Sequence, residues 1–178
     1  MKLAYADPPY IGQAKRHYSK DPSGIPAEEV DHEELIRNLI KNYDGWALSA
    51  SSPSIPIICD ILKEWGDYLG KPDFYRIGAW TKTFCSWKPT HRVQYTWEPV
   101  FFIPVRDKGS RDVPSVRDFV SCRITMKKGT HGAKPPEFND WILNLLGYDP
   151  WQDNMDDLYP GSGGMAETIQ RAIERGRK

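Results

Sequence analysis

A chain of 178 residues can bury a real core, and one domain spanning 1–178 is expected. Its 24 basic and 24 acidic side chains cancel, so no global field directs it to nucleic acid or to a membrane surface. No segment reaches the roughly 18 apolar residues that cross a bilayer, and the first residues lack the apolar run of a secretion signal. Cys59, Cys85 and Cys122 are odd in number and far apart, and His17, His32, His91 and His131 are equally scattered. A soluble protein of a reducing compartment, with no structural metal, is expected.

The apolar run 3–6 reads as a buried strand that two prolines end at once. Pro9 keeps Pro8 out of the helical region, so the turn Asp7-Pro8-Pro9-Tyr10 presents a carboxylate, a bare carbonyl and an aromatic ring. Two readings of that turn stand. Asp7 caps backbone groups at the strand end, or Asp7 and the Pro8 carbonyl accept from an exocyclic amino group while Tyr10 stacks on its ring. A long loop, 11–27, follows, with Lys15, Arg16 and Lys20; loops of that length are usually functional or mobile. Asp31 with Glu34 opens a helix with Leu35, Ile36, Leu39, Ile40 and Tyr43 on one face, and Gly45 is expected to stop it. Residues 46–49 read as a second strand, closed by Ser51-Ser52-Pro53-Ser54, and a second helix carries Ile58, Ile61, Leu62 and Trp65 inward. Strands are expected over 74–80 and 95–103, the latter central because Val100-Phe101-Phe102-Ile103 is continuously apolar.

This alternation implies an α/β layered fold with a mainly parallel sheet. Residues 104–133 break the rhythm and read as an irregular basic insertion carrying Arg106, Lys108, Arg111, Arg117, Arg123, Lys127 and Lys128 against Asp107, Asp112 and Asp118. A solvated loop and a phosphate-contacting surface are both consistent with that composition. Lys134-Pro135-Pro136 then opens a helix with Phe138, Trp141, Ile142, Leu145 and Leu146 inward and Gly147 as its stop. A short strand, 156–159, leads through Pro160-Gly161-Ser162-Gly163-Gly164 into a last helix with Met165, Ile169 and Ile173. Strand, glycine turn and helix is how α/β folds bring bare backbone to a nucleotide-like ligand.

Taken together, Asp7-Pro8-Pro9-Tyr10 and Asp157-Leu158-Tyr159-Pro160-Gly161-Ser162-Gly163 resemble the catalytic and S-adenosylmethionine-binding turns of the amino-group (adenine-N6 or cytosine-N4) DNA methyltransferases. His131, Lys134 and Pro135 resemble the His-x-x-Lys-Pro segment of those enzymes, and Trp97-Glu98-Pro99-Val100 their Glu-Pro strand. The order, catalytic turn first, is that of the permuted beta class. The resemblance implies a Rossmann-like methyltransferase fold and methyl transfer from S-adenosylmethionine to DNA. Aspartate in the motif leans toward adenine N6. Asp7, Pro8, Pro9 and Tyr10 would take the target base. Asp157, Tyr159, Gly161, Ser162, Gly163, Lys134 and Pro135 would serve the cofactor, and the basic segment 104–133 would recognise the target. The chain ends one helix after Gly163, where the family continues to a strand whose acidic end holds the ribose hydroxyls. A sheet short by about two strands on the cofactor side is therefore expected, with a homodimer or partner subunit completing it. Two other readings remain: a catalytically weak or inactive subunit of this fold that binds nucleic acid or a partner, and RNA as substrate. The short permuted layout implies a phage or mobile-element origin and the cytoplasm of a bacterial or phage-infected cell.

Overall fold

The computed structural model describes residues 1–12, 29–85, 87–106, 115–125 and 133–176. The described residues form one sheet from β1 (Lys2–Ala6), β2 (Gly45–Ser49), β3 (Arg76–Lys82), β4 (Trp97–Ile103), β5 (Phe119–Cys122) and β6 (Asn154–Asp157), in the order β5-β3-β4-β2-β1-β6. It is covered by α1 (His32–Asn42), α2 (Ile55–Leu69), α3 (Pro136–Leu146) and α4 (Gly164–Gly176). β1 pairs in parallel with β2 and β6, and β3 in parallel with β5, while β4 runs antiparallel to β2 and β3. β4 alone therefore points back, in a mostly parallel, Rossmann-like α/β sheet of the expected class.

The period of two in β1 decides which side chain serves which layer. Leu3 and Tyr5 join Trp80, Val100, Phe102 and the α3 residues Phe138, Ile142 and Leu146 in one core; Met165 of α4 belongs to it as well. Ala4 and Ala6 face the other way, into a core with Trp46, Leu48 and Phe101, where α1 contributes Leu35, Ile36 and Leu39 and α2 contributes Ile58 and Leu62. Leu3, Ile36, Leu39, Phe101, Phe138 and Ile142 are fully buried, each worth about 1.5–3 kcal/mol of apolar transfer.

Helix ends follow local chemistry. The Asp31 carboxylate accepts from the Glu34 N–H at 3.0 Å, and the Glu34 side chain turns to Arg37 instead of back to Asp31, so half of a capping box forms. Gly147 ends α3 at φ 70°.

Five expectations need correction. The last strand, β6, runs Asn154–Asp157 rather than 156–159, because those four residues pair with Lys2 to Tyr5 of β1. α1 ends at Asn42, not at Gly45, which starts β2; a Cβ there would lie 2.6 Å from Val105 Cγ1 and 2.8 Å from the Ile103 carbonyl oxygen. β3 starts at Arg76 rather than 74, because Phe74 and Tyr75 form an edge-to-face pair at 5.4 Å and pack with the α2 core. β4 starts at Trp97 rather than 95, since the Tyr95 ring pairs with His91 in the preceding loop, and its direction is reversed. The segment 104–133 contains a strand, β5, whose four residues are too short and too exposed to announce themselves by alternation.

The strand directions position everything that follows. The carboxyl ends of β1, β2, β3, β5 and β6 and the start of β4 share one rim. α1, which follows β1, packs on one face and α4, which follows β6, on the other. The chain thus leaves neighbouring strands toward opposite faces, the arrangement that opens a ligand crevice in α/β sheets.

Candidate active site

β1 and β6 are adjacent and parallel, with Tyr5 paired to Asp157, so the turn after Ala6 and the turn after Asp157 emerge side by side. α3 lies between β5 and β6 in the chain and runs back across the sheet, placing Lys134, just before its first residue, at this same rim. The Lys134 ammonium donates to Asp7 Oδ1 at 2.9 Å and to the Tyr10 hydroxyl oxygen at 3.1 Å, and pairs with Glu98 Oε2 at 3.4 Å. It also lies over the rings of Tyr10, Trp80 and Phe138, 5.5, 5.6 and 5.8 Å from their centroids. Three aromatic faces and two carboxylates form a cage for one cation.

The cluster extends across the sheet. The Tyr10 hydroxyl donates to Glu98 Oε2 at 2.7 Å, and Lys82 at the end of β3 donates to Glu98 Oε1. Beneath it, the buried hydroxyls of Tyr5 and Ser49 bond at 2.9 Å. Pro8 and Pro9 are buried, so the backbone carrying Asp7 and Tyr10 is anchored on both sides.

Desolvation and neighbouring charge set the protonation. Burial raises the Asp7 pKa, with Glu98 adding to it and the Lys134 ammonium working against it. Burial also works to raise Glu98, but Lys134 and Lys82 outweigh it and hold that carboxyl below its usual range. Burial works to lower Lys134, and the two carboxylates Asp7 and Glu98 more than reverse this, so the ammonium stays charged. Burial and the two carboxylates push the Tyr10 phenol well above its usual value, keeping it a neutral donor. Asp157 rises to about 6, mainly through burial and with a contribution from the charge of Asp7, although the Tyr159 N–H donates to Asp157 Oδ1 at 3.3 Å. Within the cluster and the neighbouring Asp157, the three carboxyls Asp7, Glu98 and Asp157 outnumber the two ammonium groups of Lys82 and Lys134 by one, which suits a cationic ligand.

In the glycine turn, Gly161 and Gly163 have φ of 47° and 79°, where only glycine is unstrained, and a Cβ on Gly163 would meet nothing within 4 Å. A tight bend closes on the Gly163 N–H, which donates to the Pro160 carbonyl at 2.7 Å. Ser162 sits between the two glycines. Gly164, opening α4, packs against α3: a Cβ there would lie 3.2 Å from Asn139 Nδ2 and 3.8 Å from the Lys134 carbonyl oxygen. Tyr159 is half-buried and borders a groove of about 520 Å³ along α1, with Asp31, Leu35, Asn38 and Asn42 on its other side.

Asp7, Tyr10, Lys134 and Asp157 thus converge, and Pro135 acts as the cap residue before α3, its carbonyl accepting from Phe138 and Asn139. Lys134, expected to serve the cofactor, has its carbonyl oxygen beside Gly164 at the end of the glycine turn and its ammonium on Asp7 and Tyr10. Glu98 and Lys82 were not expected in the site. Their signal was available: a carboxylate inside the apolar strand Trp97-Glu98-Pro99-Val100 and a lysine ending the strand beside it.

The basic segment divides. Arg106 lies at the opposite rim, where it donates to the Gly147 carbonyl and both oxygens of the fully buried Asp153 carboxylate. That correction has a plain cause, since a buried carboxylate needs a partner and Arg106 supplies it. Arg117 precedes β5 at that far rim with its guanidinium over Phe119, and Arg123 follows β5 at the near rim. Lys108, Arg111, Lys127, Lys128 and His131 lie outside the described residues, as does most of the loop 11–27. Among the described residues, no helix is long and apolar enough to cross a membrane.

No protein-family model matches the sequence, and no curated protein matches it. Solved structures do match in fold. The crystal structure of the M1.HpyAVI–SAM complex superposes with a TM-score of 0.58 at 16% identity, covering 98% of this chain and 88% of that one. The crystal structure of M1.HpyAVI gives 0.52 at 16% identity, covering 96% and 75%. At that identity the likeness is one of fold, and the chain shares its Rossmann-like sheet with a protein crystallised with SAM.

Proposed function

We infer that this protein is an S-adenosylmethionine-dependent methyltransferase acting on an exocyclic amino nitrogen of DNA, with adenine N6 as its target. One observation carries the reading: the parallel pairing of β1 with β6 sets Asp7-Pro8-Pro9-Tyr10 beside the glycine turn, with Lys134 between them. The fold it shares with the M1.HpyAVI–SAM complex is consistent with it.

The residues present fit the cofactor. Its sulfonium and ammonium against one carboxylate make it a net cation, matching the extra carboxyl of the group Asp7, Glu98, Asp157, Lys82 and Lys134. Asp157, Tyr159, Gly161, Ser162 and Gly163 would hold it, with bare backbone and open space at Gly163 admitting it closely. When bound, S-adenosylmethionine supplies an electrophilic methyl group.

An aromatic amino group is a poor nucleophile because its lone pair is delocalised into the ring. Asp7 and the Pro8 carbonyl accept its two N–H groups and favour a pyramidal nitrogen with the pair turned out of the ring. Lys134 pins one Asp7 oxygen at 2.9 Å and opposes the rise in its pKa that burial causes. Tyr10, held at its hydroxyl by Glu98 and Lys134, stacks on the base once it leaves the helix. Orientation of this kind lowers barriers by about 7–11 kcal/mol when both reactants are well placed. Asp7, its pKa raised by burial, is the group on the chain best suited to receive the proton the methylated amine sheds.

β6 is the last strand of the sheet on its side, and a second chain pairing along its outer edge would extend the cofactor side. The test is mass spectrometry of nucleosides digested from duplex DNA and from RNA after incubation with labelled cofactor. N6-methyladenine from DNA, abolished by Asp7→Ala in a folded variant, supports the reading. Label on cytosine, on RNA alone or on neither replaces it.

A further inference from the structure

The loop between β3 and β4, residues 83–96, joins the strand ends that carry Lys82 and Glu98, the ion pair whose carboxylate accepts from the Tyr10 hydroxyl, and so starts and ends at the same rim. Its described residues, 83–85 and 87–96, turn their large apolar side chains outward. Gln94 closes it from inside, accepting from the Lys88 N–H and donating to the Lys88 carbonyl, both at 2.9 Å, and donating also to the His91 carbonyl. The His91 N–H completes a turn on the Lys88 carbonyl at 3.0 Å, and the His91 and Tyr95 rings meet edge to face. What this frame displays is Phe84, Trp87, Val93 and Tyr95, exposed by 52, 75, 82 and 50%. A loop with a hydrogen-bonded polar interior and an aromatic exterior reverses the usual inside-out order, which is the mark of a binding surface.

Its charge selects the partner. The chain as a whole has a formal net charge of +0, yet residues 83–96 contain no Asp or Glu, and Lys88 and Arg92 stand exposed among the aromatic rings. Cations interleaved with exposed aromatic faces fit a polyanion whose units carry flat rings. We propose that the β3–β4 loop is a strand-binding surface for single-stranded nucleic acid, Trp87 and Tyr95 stacking on bases beside the target nucleotide and Lys88 and Arg92 meeting its phosphates. The surface deepens the methyl-transfer reading and rests on it for what the strand is brought to.

The experiment measures affinity of the full chain for a short adenine-containing single-stranded DNA by fluorescence anisotropy across a salt series, for wild type, Trp87→Ala and Lys88→Ala/Arg92→Ala. Losing one stacked base predicts a Kd about 5- to 140-fold weaker for Trp87→Ala. Losing two phosphate contacts predicts a slope of log K against log salt that falls by about 1.4. Both variants keep the wild-type melting temperature and calorimetric affinity for S-adenosylmethionine, because these side chains are exposed and are not among the residues 157–163 that would hold it. Unchanged DNA affinity in both variants overturns the surface, and so does a change in sedimentation without a change in DNA affinity, which makes the loop a contact between copies. The two readings fail separately. Wild type that binds through Trp87 but transfers no methyl keeps the surface and removes the enzyme. Methyl transfer with an unaltered KM in Trp87→Ala keeps the enzyme and removes the surface.

Discussion

Replacing Lys134 by Met removes the one cation that Asp7 and Glu98 share, and the consequences for stability and for pH dependence follow from the geometry. Contacts at 2.9 and 3.4 Å correspond to gross attractions of about 6 and 5 kcal/mol at an effective dielectric near 20. Desolvation of the three charges offsets most of that, but the substitution leaves two nearly buried carboxylates, 20 and 16% exposed, facing each other without it. Loss of one member of such a cluster costs about 3 kcal/mol, toward the low end of the range because some solvent reaches the group. The sign with pH is fixed. The Asp7 pKa is already raised in the fold, with Lys134 working against the rise, so its removal raises it further. A carboxyl whose folded pKa lies above its unfolded value loses stability as pH climbs between the two. Lys134→Met is therefore nearly as stable as wild type at pH 4 and carries its full deficit at pH 8, read by urea denaturation at both. Adding Asp7→Asn removes the unpaired charge and recovers most of the pH 8 stability without recovering methyl transfer. A deficit below about 1 kcal/mol at pH 8, or one equal at both pH values, would refute the shared-cation account.

Asp157→Asn should stabilise the ligand-free protein at pH 8 while weakening S-adenosylmethionine. Ionising a carboxyl raised to about 6 costs about 3 kcal/mol before discounting for partial exposure, so a gain of about 1–2 kcal/mol is expected, vanishing as pH falls through 6 toward 4. Thermal melts at the two pH values and calorimetry with the cofactor check both halves. Arg106→Ala should destabilise by about 2 kcal/mol, since it strips the buried Asp153 of its guanidinium, yet leave the salt slope of DNA binding unchanged because Arg106 sits at the far rim. Asp153 is held well below the usual carboxylate range, chiefly by Arg106, so that contribution is present at neutral pH and fades in acid. Gly45→Ala places a methyl group 2.6 Å from Val105 Cγ1 and 2.8 Å from a carbonyl oxygen, and should cost about 1–3 kcal/mol in a denaturant titration.

The readable parts of the chain are those governed by near neighbours. Asp31 capping Glu34, the Pro135-Pro136 start and Gly147 stop of α3, and the apolar runs of β1, β2 and β4 all follow from contacts within a few residues. Where the outcome hangs on a distant neighbour, local reading fails. Gly45 resembles a helix stop, yet it is glycine because Ile103 and Val105 crowd it. β5 exists because β3 offers an edge, and β4 runs backward because the 83–96 loop returns the chain directly from β3.

Composition and strand–helix alternation by themselves determined the class of sheet, and motif spacing singled out the two turns that the fold sets side by side. Only the tertiary structure decided that Lys134 stands on Asp7, that Glu98 and Lys82 brace Tyr10, and that Arg106 serves the far rim. The reason is physical: which charges share a desolvated space depends on strand order and direction, and those are set by pairing between residues as distant as Tyr5 and Asp157.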